Sequence, residues 1–115
     1  MLYNSTASDV ALCYIEMAKK REVTRDVIGA EKCFRHAVEK ANQALADPEE
    51  NKHPDIGFVV SYQYGSFLFR LRRYVDAYCT FREAKKHSTP DSALKEDLAC
   101  TEDEIRSIIL TCLSG

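Results

Sequence analysis

The chain has 115 residues and a mass of 13.1 kDa, enough for one core and one domain. Hydrophobic residues make up 45% and charged residues 30%, with four glycines and three prolines, which excludes disordered, collagen-like and low-complexity classes. A formal charge of −2 excludes strong general attraction to nucleic acid or to an anionic membrane. The N-terminus, MLYNSTASDV, lacks the basic and apolar regions of a secretory leader, and no apolar run approaches a membrane span. A cytoplasmic protein is therefore expected. Five cysteines, odd in number and without a C-x-x-C pair, are expected to be reduced, partly buried thiols.

Every element reads as helical. Ser5 or Thr6 is expected to cap a first helix whose apolar positions include Val10, Leu12, Cys13, Ile15, Met17 and Ala18. It should run to about Arg21, where Lys19, Lys20 and Arg21 complement the negative end of the helix dipole. The stretch EVTRDVIG makes a turn with Thr24 as cap. A second helix over about 25–46 follows, because Val27, Ala30, Phe34, Ala37, Val38, Ala41, Ala44 and Leu45 recur at three- and four-residue steps.

ADPEENKHPD is polar, carries two prolines and has no periodicity, so it reads as a linker. A third helix is predicted from Pro54 or Asp55 to about Arg72, and a fourth from Tyr74 to about His87. Thr89 as cap, Pro90 at the first helical position and Asp91 beside it open a long final helix carrying Leu94, Leu98, Ile105, Ile108 and Ile109. A break at Thr101, where TEDE matches a capping box, is the competing expectation.

Internal comparison shows a repeat. GAEKCFRHA (29–37) lies over DAYCTFREA (76–84) so that Ala30 meets Ala77, Phe34 meets Phe81, Arg35 meets Arg82 and Ala37 meets Ala84, each pair 47 residues apart. Twelve residues before each leading alanine stands another small residue, Ala18 or Gly65. A glycine inside a helix costs about 1 kcal/mol against alanine. Gly65 is therefore expected where two helices approach closely, with Phe81 filling the adjoining space.

These residues resemble the tetratricopeptide repeat, a helix-turn-helix unit with a small residue in its first helix and an A-x3-F pattern in its second. Tyr64-Gly65-x2-Leu68 looks like the L-G-x2-Y element, and Tyr74 looks like the aromatic that opens the second helix. In the first copy Arg21 and Val27 stand where large apolar and aromatic residues are usual. The resemblance implies an all-α domain, two repeats over about 7–46 and 55–88 with a linker over about 47–54. A capping helix over about 90–113 would complete a short right-handed superhelix. The family period of about 34 residues makes the 47-residue offset a longer helix or an inserted loop.

By the same resemblance, the concave surface would present Leu12, Ile15 and Lys19 from the first copy, and Val59, Tyr62, Ser66, Phe69 and Arg70 from the second. Such a surface implies an adaptor that binds a peptide with apolar anchors and acidic flanks. Capture of a chaperone tail is not expected, because Ile15 and Gln63 stand where a lysine and an asparagine would be needed, leaving Lys19 as the one cation. The alternative is a structural module that self-associates through Leu98, Ile105, Ile108, Ile109 and Leu113 of the last helix.

No catalytic, cofactor or metal motif is present. His36, His53 and His87 are scattered, and no His-x3-His or Cys-x2-Cys spacing supports zinc. A Cys-His pair from Cys33 or Cys79 lacks a local activating environment in sequence. The basic residues Arg70, Arg72 and Arg73 read as a dipole-compensating, solvated cluster at a helix end; the alternative is that, with Lys85, Lys86 and His87, they contact a phosphate backbone or an acidic partner. KEDLACTEDE carries the counter-charge.

Overall fold

A computed structural model describes residues 6–47, 49, 53, 55–87 and 92–114. Among them are five helices and no strand, as the periodicity predicts: α1 (Ala7–Val23), α2 (Val27–Leu45), α3 (Ile56–Arg70), α4 (Tyr74–Lys86) and α5 (Ser92–Ser114). The helix α5 runs without interruption through Thr101, so the competing break does not occur. The expected caps Ser5, Thr89, Pro90 and Asp91, the helix start at Pro54, and the side chains of Leu94 and Leu98 lie outside the described residues.

The helix α1 starts where a short polar side chain can satisfy its free N–H groups. Thr6 Oγ1 accepts from the Asp9 N–H at 3.3 Å, and Asp9 Oδ2 accepts from the Thr6 N–H at 3.1 Å, a complete capping box. His53 Nε2 lies 3.0 Å from Asp9 Oδ1, tying the residue three before α3 to the start of α1. The His53 contact, the Thr6 N–H and the Thr6 hydroxyl, in that order, hold the Asp9 carboxyl down at about 2.

The turn from α1 to α2 corrects one expectation. Thr24 closes α1 instead of opening α2, and its N–H donates to the Lys20 carbonyl at 3.2 Å. Arg25 then takes a left-handed conformation, φ 65°, its N–H donating to the Glu22 carbonyl while the Asp26 N–H donates back to the Arg21 carbonyl at 2.8 Å. These are the two bonds of a Schellman motif. Asp26 becomes the N-cap of α2, its Oδ1 accepting from the Gly29 N–H at 3.0 Å.

The turn from α3 to α4 repeats this pattern with every residue displaced by 47. Leu71 donates to Phe67, Arg72 (φ 62°) to Phe69, Arg73 to Leu68, and Ala77 to Arg73. In the first turn the matching donors are Thr24, Arg25, Asp26 and Ala30, on Lys20, Glu22, Arg21 and Asp26. The repeat read from side chains is thus also a repeat of backbone hydrogen bonds. The copies differ in how α4 is opened: Arg73 occupies the N-cap and has no acceptor to offer, so it pairs instead with Asp76 at 2.9 Å.

Two compact units divide the chain after Val60, inside α3 and not at the polar linker. The first buries Ala11, Ile15, Ala18, Ala30, Phe34, Ala37, Ala41 and Ala44 along the α1–α2 hairpin, together with Ile56, Phe58 and Val60. The second buries Phe67, Leu68, Ala77, Phe81, Ala84 and Ile105. Alanines dominate the α1–α2 hairpin because its helices approach closely, and large side chains fill the space beside them.

Gly65 sits where α3 and α4 approach closely. A Cβ built on it would lie 2.7 Å from Cε1 of Phe81, a distance real Cβ atoms do not tolerate. The expected small-to-large contact is therefore made with Phe81 directly. Burying a phenylalanine of this kind contributes about 1.5–3 kcal/mol.

Two outcomes follow. Gly65→Ala gains helix propensity but forces the fully buried Phe81 ring to move, and is expected to destabilise by about 1–2 kcal/mol in chemical denaturation. The second change Phe81→Leu should shrink that loss. Asp9 titrates near 2 when folded and near its ordinary 3.8 when unfolded. Its contribution is fully present above the unfolded value and lost as pH falls through the folded one. Between those two values the stability of Asp9→Asn should accordingly fall less steeply with acid than that of the native chain in acid unfolding.

Candidate functional site

Two clefts of comparable size, one in each unit, are lined by described residues. In the first, the N-terminal half of α2 and the C-terminal half of α1 enclose about 470 Å³, with Tyr14, Met17, Arg21, Ile28, Cys33 and His36 among the lining. Tyr14 and His36 stack at 5.2 Å with ring planes 22° apart, giving a flat wall. Arg21 bonds Asp26 Oδ2 at 2.8 Å and spans one end. The Gly29 N–H, and after it Arg21, hold the Asp26 carboxyl below its ordinary range. Met17 is 44% exposed and Ile28 74% exposed, so two large apolar side chains stand at a cleft without being used by the hairpin's own core.

In the second unit, α5 packs on α4 and encloses about 460 Å³ lined by Tyr78, Arg82, Lys85, Lys86, Glu102 and Arg106. The guanidinium carbons of Arg82 and Arg106 lie 5.8 and 5.9 Å from the centre of the Tyr78 ring. Arg106 also donates to the Tyr78 hydroxyl at 3.3 Å, and Arg106 first, then Arg82, hold the phenol below its ordinary value. Lys86 pairs with Glu83 at 2.8 Å and Lys85 with Glu102 Oε2 at 3.2 Å. The expected counter-charge from the acidic stretch is supplied within the chain by Glu102. Glu102 is only 3% exposed, and its Oε1 is buried with no hydrogen-bond partner. A buried acceptor left without a donor costs about 1–3 kcal/mol.

The positions expected to line a concave surface behave unequally. On α1, Leu12, Ile15 and Lys19 share one face; Ile15 is 3% exposed and belongs to the core, Leu12 is half-buried, and Lys19 is exposed and 3.7 Å from Glu16. Val59 is half-buried in the first unit. In the second, Tyr62 stands edge-on to Phe81 at 5.9 Å and Phe69 edge-on to Tyr74 at 5.6 Å, so both rings serve the hairpin's own packing. Ser66 donates its hydroxyl to the Tyr62 carbonyl at 2.8 Å, and Arg70 is exposed.

The cysteines depart from expectation: Cys33 alone is buried, while Cys13, Cys79, Cys100 and Cys112 are exposed free thiols. His87 caps α4 through its N–H on the Ala84 carbonyl. Among the described residues no cluster of His, Cys, Asp and Glu could hold a metal ion, and no helix is long and apolar enough to cross a membrane.

Sequence reasoning did not single out either cleft. Ile28 carried a usable signal, since its repeat partner Val75 is also a β-branched residue in the first turn of a second helix, and both are exposed. Tyr78 and Arg106 lie 28 residues apart, and only the docking of α5 on α4 brings them together. Comparison of the chain with protein-family models, with curated proteins and with solved structures finds no match.

The phenol of Tyr78 gives a direct check of this geometry. In a titration followed by tyrosine Cζ NMR, it should ionise below the ordinary 10, and Arg106→Leu should move it back towards that value.

Proposed function

We propose that the chain is a protein-interaction adaptor built from two divergent helical hairpins of the tetratricopeptide type, and that a segment of another protein seats apolar side chains on it. The observation that carries this reading is the first-unit cleft, where Met17 and Ile28 remain exposed beside the Tyr14–His36 wall. Exposed apolar side chains gathered at a concave site mark a partner surface more often than a solvated one. The repeated Schellman turns support the repeat architecture, since two hairpins with the same backbone bonding present equivalent faces. Lys19, exposed on the first unit beside half-buried Leu12, supplies a basic fringe for an acidic flank there.

Self-association is the second reading, and it has an observation of its own. Leu110 and Leu113 are 56% and 80% exposed near the end of α5, and Ile108 and Ile109 are half-buried beside them. Sedimentation separates the two readings: an adaptor stays monomeric at micromolar concentration, whereas the oligomer reading requires a concentration-dependent dimer.

For the adaptor, the variant Met17→Ser with Ile28→Ser removes apolar contact without touching the core. Its folding stability should stay within about 0.5 kcal/mol of the native chain. Partners recovered by affinity capture and mass spectrometry should fall by roughly tenfold, as expected for anchor residues. Undiminished capture would remove the cleft from consideration.

A further inference from the structure

The cleft between α4 and α5 has two unmet demands that point to one kind of occupant. Its first demand is for negative charge. Lys85 and Lys86 are matched by Glu102 and Glu83 at 3.2 and 2.8 Å, but the guanidinium of Arg106 reaches Asp103 only at 3.7 Å. Arg82 and Arg106 are both held against Tyr78, whose neutral ring orients them without cancelling their charge. Two guanidinium groups held within 6 Å of one ring bring two positive charges to the cleft, which suits an oxyanion. The second demand is for a hydrogen-bond donor, because Glu102 Oε1 is buried and has no partner.

A simple anion meets the first demand and is repelled at the second. A carboxylate side chain brings a single charge. A phosphorylated residue within a peptide meets both, since its phosphate carries about −1.5 to −2 charges and three acceptor oxygens, and its backbone N–H is a donor one side chain away. The volume of about 460 Å³ exceeds that of a bare anion and accommodates such a residue with its backbone.

We propose that this cleft binds a phosphorylated segment of a partner protein, the phosphate between Arg82 and Arg106 and a peptide N–H on Glu102 Oε1. This occupant presupposes the adaptor role proposed above and names the chemistry of the partner.

The full chain, ¹⁵N-labelled, is titrated with an N-acetylated Gly-phosphoserine-Gly amide, its unphosphorylated counterpart, inorganic phosphate, and vesicles of phosphatidylcholine with a phosphoinositide. The phosphopeptide should bind roughly tenfold more tightly than inorganic phosphate or the unphosphorylated peptide, with shifts centred on Tyr78, Arg82 and Arg106. Arg82→Leu with Arg106→Leu should abolish that preference. Glu102→Gln separates the two demands: it should weaken the phosphopeptide several-fold while leaving inorganic phosphate unchanged or tighter, because a repulsive charge is gone. Circular dichroism confirms that each variant is helical. Equal affinity for phosphopeptide and inorganic phosphate, tighter binding of both by Glu102→Gln, or binding to the vesicles alone would each overturn the proposal. Phosphatase treatment of the extract before affinity capture distinguishes this site from the adaptor reading. Capture that survives phosphatase but is lost in the Met17→Ser, Ile28→Ser variant overturns the phosphate site and leaves the adaptor standing.

Discussion

Close approach of two helix backbones is the constraint on which the rest of each hairpin depends. It requires a residue with almost no side chain on one helix, and it rewards a large ring on the other that can lie across the gap. Gly65 and Phe81 meet this requirement in the second unit, where even a methyl group would collide with the ring. In the first unit Ala18, Ala30, Ala37, Ala41 and Ala44 are buried with Phe34, the same division of labour between small and large. A core so rich in alanine leaves many larger apolar residues with nowhere inside to go. That is why Met17, Ile28, Val75 and Leu113 are at the surface of a chain of only 115 residues.

Much of this was legible in the residue order, because helical period and turn chemistry are local. The five helices, the 47-residue repeat and the role of Gly65 all rest on residues within a few turns of one another. The misreading at Thr24 has a local cause too. A threonine before an apolar run fits an N-cap, but with Thr24 closing α1 and Arg25 left-handed, Asp26 is the residue left to cap α2. Nothing in the sequence marked Arg25 and Arg72 as left-handed, since glycine or asparagine is the usual occupant of that position.

The clefts were not legible for a different reason. Tyr62 and Phe69 belong to a binding face by the resemblance, yet each has found an aromatic partner within its own hairpin. Spacing along one helix cannot say whether the facing helix offers a ring. The cationic cleft depends further on the register of α5 against α4, which sets Glu102 beside Lys85 and Arg106 beside Tyr78. The acidic stretch marked a counter-charge for the basic cluster, but not which lysine Glu102 would take.

The shared turn has a consequence for how the chain can change in length. Asp26 and Arg73 each complete the bonding that ends one helix while standing at the N-cap of the next. An inserted residue at either place would break the closing bonds of one helix and shift the other by about 100°, turning its alanines away from the core. An insertion or deletion at either turn thereby costs the packing of a whole helix and not of one residue.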